Sequence, residues 1–144
     1  MSNTDVVKAG MAAWSGSDWA TMSSLLTDDF TLTGVTPQPL DKSAFIGLGH
    51  ALLAAFPDWS FNASDYREEG DNVSLTTRIT GTHKGTLAAI PGAPSVPATG
   101  RSVALPAEQH AYTVRDGKVS ALMIATTPGG GIPALYEQVG APLG

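Results

Sequence analysis

At Pro57 the hydrophobic pattern of this chain changes period, and that change limits the possible folds more than any other feature. Before it, apolar residues keep helical spacing. Phe45, Leu48, Leu52, Leu53 and Phe56 fall at i, i+3, i+7, i+8 and i+11 behind a capping Asp41. After it they alternate. Trp59, Phe61 and Ala63 oppose Ser60, Asn62 and Ser64; Val73, Leu75, Thr77, Ile79 and Gly81 then oppose Ser74, Thr76, Arg78 and Thr80. A chain that gives its helices first and its strands afterwards segregates the helices onto one face of an antiparallel sheet. The fold class is α+β.

The remaining elements fit that plan. Ser2 or Thr4 caps a first helix carrying Val7, Met11 and Trp14, and Asp18 caps a short second one carrying Trp19, Met22, Leu25 and Leu26. Phe30 to Thr33 alternates like a strand and stops at Gly34. Trp59 to Ser64 and Val73 to Gly81 read as two long strands joined by turn residues 69–72. Arg101 to Val114 reads as a third. Asp116-Gly117 is a two-residue hairpin turn, and Val119 to Thr126 returns. Residues 84–100 lack periodicity; Pro91, Pro94 and Pro97 stiffen them, and Leu87 and Ile90 supply apolar anchors. That loop is expected at the mouth of a pocket or at a subunit interface. Ala134 to Val139 forms a last helical turn or two.

Size and charge narrow the function. The chain has 144 residues, 42% of them hydrophobic, enough for one domain over 1–144 with one core. Charged residues are 15%, with 8 basic against 13 acidic and a net charge of −5. Binding nucleic acid requires clustered Lys and Arg, which are missing, so a DNA or RNA partner is excluded. There is no cysteine, hence no disulfide, thiolate metal site or thiol nucleophile. The polar start lacks a signal-peptide pattern, and no run nears the ~18 apolar residues of a membrane span. The expected location is the cytoplasm, with no membrane partner.

Four motifs in order then resemble a known family. Ala55-Phe56-Pro57-Asp58, Gly81-Thr82-His83-Lys84-Gly85, Pro97-Ala98-Thr99-Gly100-Arg101 and Val114-Arg115-Asp116-Gly117-Lys118-Val119 resemble the SnoaL-like polyketide cyclases. These belong to the NTF2-like, or cystatin-like, superfamily. The resemblance implies a cone of three N-terminal helices packed on a curved, mostly antiparallel sheet around a hydrophobic pocket. It also implies a homodimer, a small apolar or aromatic ligand, and aldol cyclisation or isomerisation by acid–base chemistry without metal or cofactor. The family's catalytic aspartate falls near the end of the last strand, where this chain has Ile124, and no Asp or Glu lies between Asp116 and Glu137. A binding or accessory protein of the same fold, without turnover, is therefore the alternative.

Elimination and parity choose the candidate residues. Glu108, His110 and Tyr112 alternate on one strand with Val114, so all face inward together. His110 is the expected proton-transfer group, with Glu108 orienting it or acting as base. The plainer alternative puts Glu108 at the pocket rim or dimer face and gives His110 a structural hydrogen bond. Trp14, Trp59, His83, Tyr112 and Met123 are the expected ligand contacts, although core packing explains the tryptophans and loop anchoring explains His83. His50, His83 and His110 lack the spacing of metal ligands, so no metal is expected. Leu122 and Met123 make both faces of the last strand apolar, which favours a dimer across the outer face.

Overall fold

The computed structural model describes residues 2–89 and 93–143. Ser2 opens helix α1 (Asn3–Ser15) with a reciprocal capping box to Asp5. Asp18 caps α2 (Trp19–Ser24), and Asp41 caps α3 (Lys42–Ala55) through the Ala44 N–H at 2.8 Å. The strands are β1 (Leu26–Thr33), β2 (Leu40–Asp41), β3 (Ser64–Glu69), β4 (Asn72–Thr77), β5 (Thr80–Thr82), β6 (Ser102–Ala104), β7 (Glu108–Arg115) and β8 (Lys118–Ala125). A fourth helix, α4 (Gly131–Gln138), follows. Six strands pair in the order β2-β1-β8-β7-β4-β3, and β5-β6 form a separate two-stranded sheet. The expected α+β class holds. One departure is that β1 runs parallel to β8 within the otherwise antiparallel sheet.

Three expected long strands are each interrupted, and each break has an identifiable cause. The stretch from Trp59 to Ala63 is not a strand, because Asn62 turns left-handed at φ 46° and only Ser60 makes a bridge, to Thr80. The run from Val73 to Gly81 divides into β4 and β5. The Arg78 N–H leaves the ladder for the Phe61 carbonyl at 2.9 Å, and the chain crosses to the second sheet. The run from Arg101 to Val114 divides around Pro106, which has no N–H to give a ladder. In contrast, β1 begins four residues before Phe30, at Leu26. Asp116 and Gly117 take φ 53° and 76°, the two left-handed positions that a tight hairpin requires.

The core lies between the helices and the concave face of the sheet. Trp14 is its hub, with ring centroids 5.4 Å from Phe45, 5.7 Å from Phe61, 5.8 Å from Trp19 and 6.3 Å from Trp59. Gly49 makes that packing possible, since a Cβ there would stand 2.6 Å from the Trp19 ring and 2.9 Å from that of Trp14. Of the loop's expected anchors, Leu87 is fully buried and bridges Val96. Ile90 and Pro91 lie outside the described residues. The helical cover is not α1 to α3 alone, because α4 adds buried Ile132 and Leu135 to it.

Candidate functional site

The layers leave a cavity of about 90 Å³ between sheet and helices. Its wall is almost wholly apolar, with Trp14, Phe45, Trp59 and Phe61 on one side and Ile132 and Leu135 of α4 on another. The polar exceptions come mainly from one strand. Along β7 the pleat buries Glu108, His110, Tyr112 and Val114 and turns Gln109 and Arg115 outward, so the first three line the cavity in series.

His110 is 2% exposed, and its Nε2 stands 3.2 Å from Thr77 Oγ1. Nδ1 has no hydrogen-bond partner among the described residues. Burial disfavours the charged ring and lowers its pKa to about 4, so the imidazole is neutral at pH 7. Glu108 is 3% exposed and sits against the start of α4, where Gly130 offers no side-chain cap. A Cβ on Gly130 would come within 3.3 Å of Glu108 Oε2. Burial raises the carboxyl pKa, while the Gly131 backbone N–H opposes the rise by favouring the charged form. Oε2 has no partner among the described residues. No hydrogen bond joins Glu108 to His110, so each is set by its own surroundings. Tyr112, deeper along the strand, is raised by burial and then by its neighbour Tyr66.

Burial of His110 makes stability depend on pH. The unfolded imidazole titrates near 6.5 and the folded one at about 4. Between those values the unfolded chain holds a proton that the folded chain refuses, so stability falls as pH drops through the window, by roughly 3 kcal/mol. Glu108 works with the opposite sign. Its raised carboxyl stabilises the fold below the ordinary value of 4.5, and the benefit is lost as pH rises through the folded pKa. In urea unfolding at pH 7 and pH 4, His110→Gln is expected to lose less stability on acidification than the unaltered protein does. The same pH dependence in both proteins would refute the assignment.

Among the expected ligand contacts, Trp14, Trp59 and Tyr112 line the cavity. Met123 does not. It is 56% exposed on the outer face of β8, because the pleat points Leu122 and Ile124 inward around it. His83 also stands outside the wall. It is fully buried, and its Nδ1 accepts from the Thr99 N–H at 3.2 Å and meets Thr99 Oγ1 at 2.8 Å, which anchors the loop. His50 stacks on Trp19 with ring centroids 4.4 Å apart. Among the described residues, no three His, Asp or Glu side chains gather as metal ligands would. Sequence reasoning missed Thr77 as the partner of His110 and missed the α4 wall. Inward parity with Val73 and Leu75 was the available signal for Thr77.

The fold is an α+β cone of the cystatin-like type, with helices packed over an apolar cavity and a line of polar groups on one strand. The chain belongs to the SnoaL-like domain family, whose model matches residues 7–122. Solved structures of similar shape include a proposed SnoaL-like polyketide cyclase from Jannaschia sp. CCS1. It is 21% identical, with 98% of this chain and 93% of that one covered and a TM-score of 0.76. AclR, a proposed hydroxylase from Streptomyces galilaeus, is 21% identical over 94% of this chain and 80% of its own, at a TM-score of 0.75. IdmH, a proposed polyketide cyclase from Streptomyces antibioticus, is 22% identical over 86% and 91%, at 0.69. At these identities the likeness is one of fold. Comparison with curated proteins found no match. Among the described residues, no helix is long and apolar enough to cross a membrane.

Proposed function

We propose that this protein binds a small, largely apolar carbonyl compound in the cavity and converts it by cofactor-free proton transfer, as a cyclase or isomerase. One observation carries the reading: among the described residues, four buried polar atoms without partners belong to side chains that line this apolar cavity, and two of them, Glu108 Oε2 and His110 Nδ1, are on groups that can take or give a proton. Buried polar atoms are normally satisfied, and such orphans mark places where a ligand completes the bonding.

The two groups divide the work by their protonation. Glu108, its carboxyl pKa raised by burial, is the stronger base and takes the proton beside the carbonyl. His110, held neutral, donates from Nδ1 to the oxygen on which enolate charge develops, while the Thr77 hydroxyl donates to Nε2 and fixes that tautomer. This assigns Glu108 the base role and leaves His110 as electrophilic partner. The test is exchange of the α-protons of a bound ketone with deuterated water, followed by NMR. Exchange above the buffer rate supports turnover. Binding without exchange makes the protein a ligand-binding accessory of the same fold and removes the enzyme reading.

The same proposal includes a cytoplasmic homodimer of one-domain subunits, joined across the outer sheet face. Met123, exposed beside its cross-strand partner Ala111, is the apolar centre of that face. Sedimentation is expected to show a dimer at micromolar concentration and Met123→Asp to shift it to monomer. A wild-type monomer would refute the assembly.

A further inference from the structure

The chain has 13 acidic residues, and among the described residues Glu108 alone of them is buried. The others are exposed, and several hold a partner as well. Asp29 pairs with Arg115 at 2.9 Å, and Asp58 accepts from the Thr82 N–H at 2.7 Å and its hydroxyl at 2.8 Å. Glu108 has no such arrangement. Its carboxyl feels burial and the Gly131 N–H but no cationic side chain, and Oε2 has no partner among the described residues. No Lys or Arg lines the cavity, and His110, the next inward residue of β7, is neutral at pH 7. An ionised carboxylate can only accept hydrogen bonds, and a buried charge without a counter-charge is costly. A ketone cannot relieve it, since a ketone oxygen also only accepts. The missing component is a donor that carries positive charge. The rest of the wall suits one: Trp14, Phe45, Trp59, Phe61 and Tyr112 line the cavity, and aromatic rings attract a cation to their electron-rich faces while packing against its apolar part.

We propose that the cavity binds an apolar ammonium ion, its N–H donated to Glu108 Oε2 and its hydrocarbon part set among the aromatic side chains. The inference goes beyond the ketone reaction and rests on one part of that reading, that this cavity is the ligand site. A charge-assisted bond is shorter and stronger than a neutral one, and it gains most where water is scarce. The exposed carboxylates offer an amine much less, because solvent screens the pair. An ammonium on Oε2 also occupies the proposed base, so the amine competes with the ketone.

Titration of the protein with cyclohexylamine and with cyclohexanol, alike in shape and different in charge, tests it by NMR at the indole N–H groups of Trp14 and Trp59. At pH 7.5 the amine, which carries its proton there, is expected to bind about tenfold more tightly than the alcohol. In Glu108→Gln that advantage is expected to vanish while cyclohexanol binds as before, which shows the cavity intact. Equal affinities in the unaltered protein overturn the proposal, as does an amine that leaves both indole signals unmoved. That comparison is decisive without the variant. An advantage that survives Glu108→Gln assigns the amine to another carboxylate and overturns the proposal too. A protein that prefers the amine but exchanges no ketone protons keeps this inference and loses the enzyme reading. One that exchanges ketone protons without preferring the amine does the reverse.

Discussion

Glu108→Gln is expected to lower the rate of proton transfer on a bound ketone by about 10²–10⁴-fold while leaving affinity within a few-fold. The amide keeps the shape of the side chain and can still meet the Gly131 N–H, so α4 stays in place, but it cannot take a proton. His110→Ala is expected to lower the rate by a similar factor for a different reason, since the enolate oxygen loses its donor. The pH profile separates the two roles. If Glu108 is the base, the rate rises with pH as its carboxyl ionises, and the imidazole, neutral from about pH 4 upward, adds no second step near 6.5. A step near 6.5 that vanishes in His110→Ala would make His110 the base instead. Wild-type rates in both variants would remove the site.

Gly34→Ala is expected to be the most damaging change of one methyl group, at roughly 3–5 kcal/mol. Gly34 takes φ 94°, a region that costs other residues roughly 1–2 kcal/mol on its own. Its added Cβ would stand 2.0 Å from the Ile124 carbonyl oxygen, a backbone atom that can yield only if β8 moves from β1. Thr126 Oγ1 also donates to the Gly34 carbonyl at 2.7 Å, so the shift breaks that bond too. Gly100→Ala is the control. It has φ 73° but open space around the Cβ, so only the backbone cost of roughly 1–2 kcal/mol is expected. Urea unfolding of both variants checks the difference, and equal losses would disprove the clash.

Elements whose cause is local were legible in the sequence. Ser2, Asp18 and Asp41 announce helix starts through their side chains, and Asp116-Gly117 announces its turn through the left-handed angles it accepts. Strand parity placed Glu108, His110 and Tyr112 on the inner face, because a pleat needs no tertiary knowledge. It failed at Met123, where two apolar neighbours left the inward side undecided. The strand breaks at Asn62 and Arg78 depend on hydrogen bonds to distant segments. So does the meeting of Glu108 with α4, which follows a glycine run that carries no capping side chain. Such pairings are written in the third dimension only.

The register of β7 against β8 carries one more consequence. His110 lies directly across the ladder from Ile124, the position where the resemblance places the family's aspartate. A carboxylate there would sit some 5 Å from the imidazole at Cβ and favour its protonated form. With isoleucine in that place no carboxylate offsets the burial that keeps the ring neutral, and the acid of the proposed reaction is the one two residues along the same strand, Glu108.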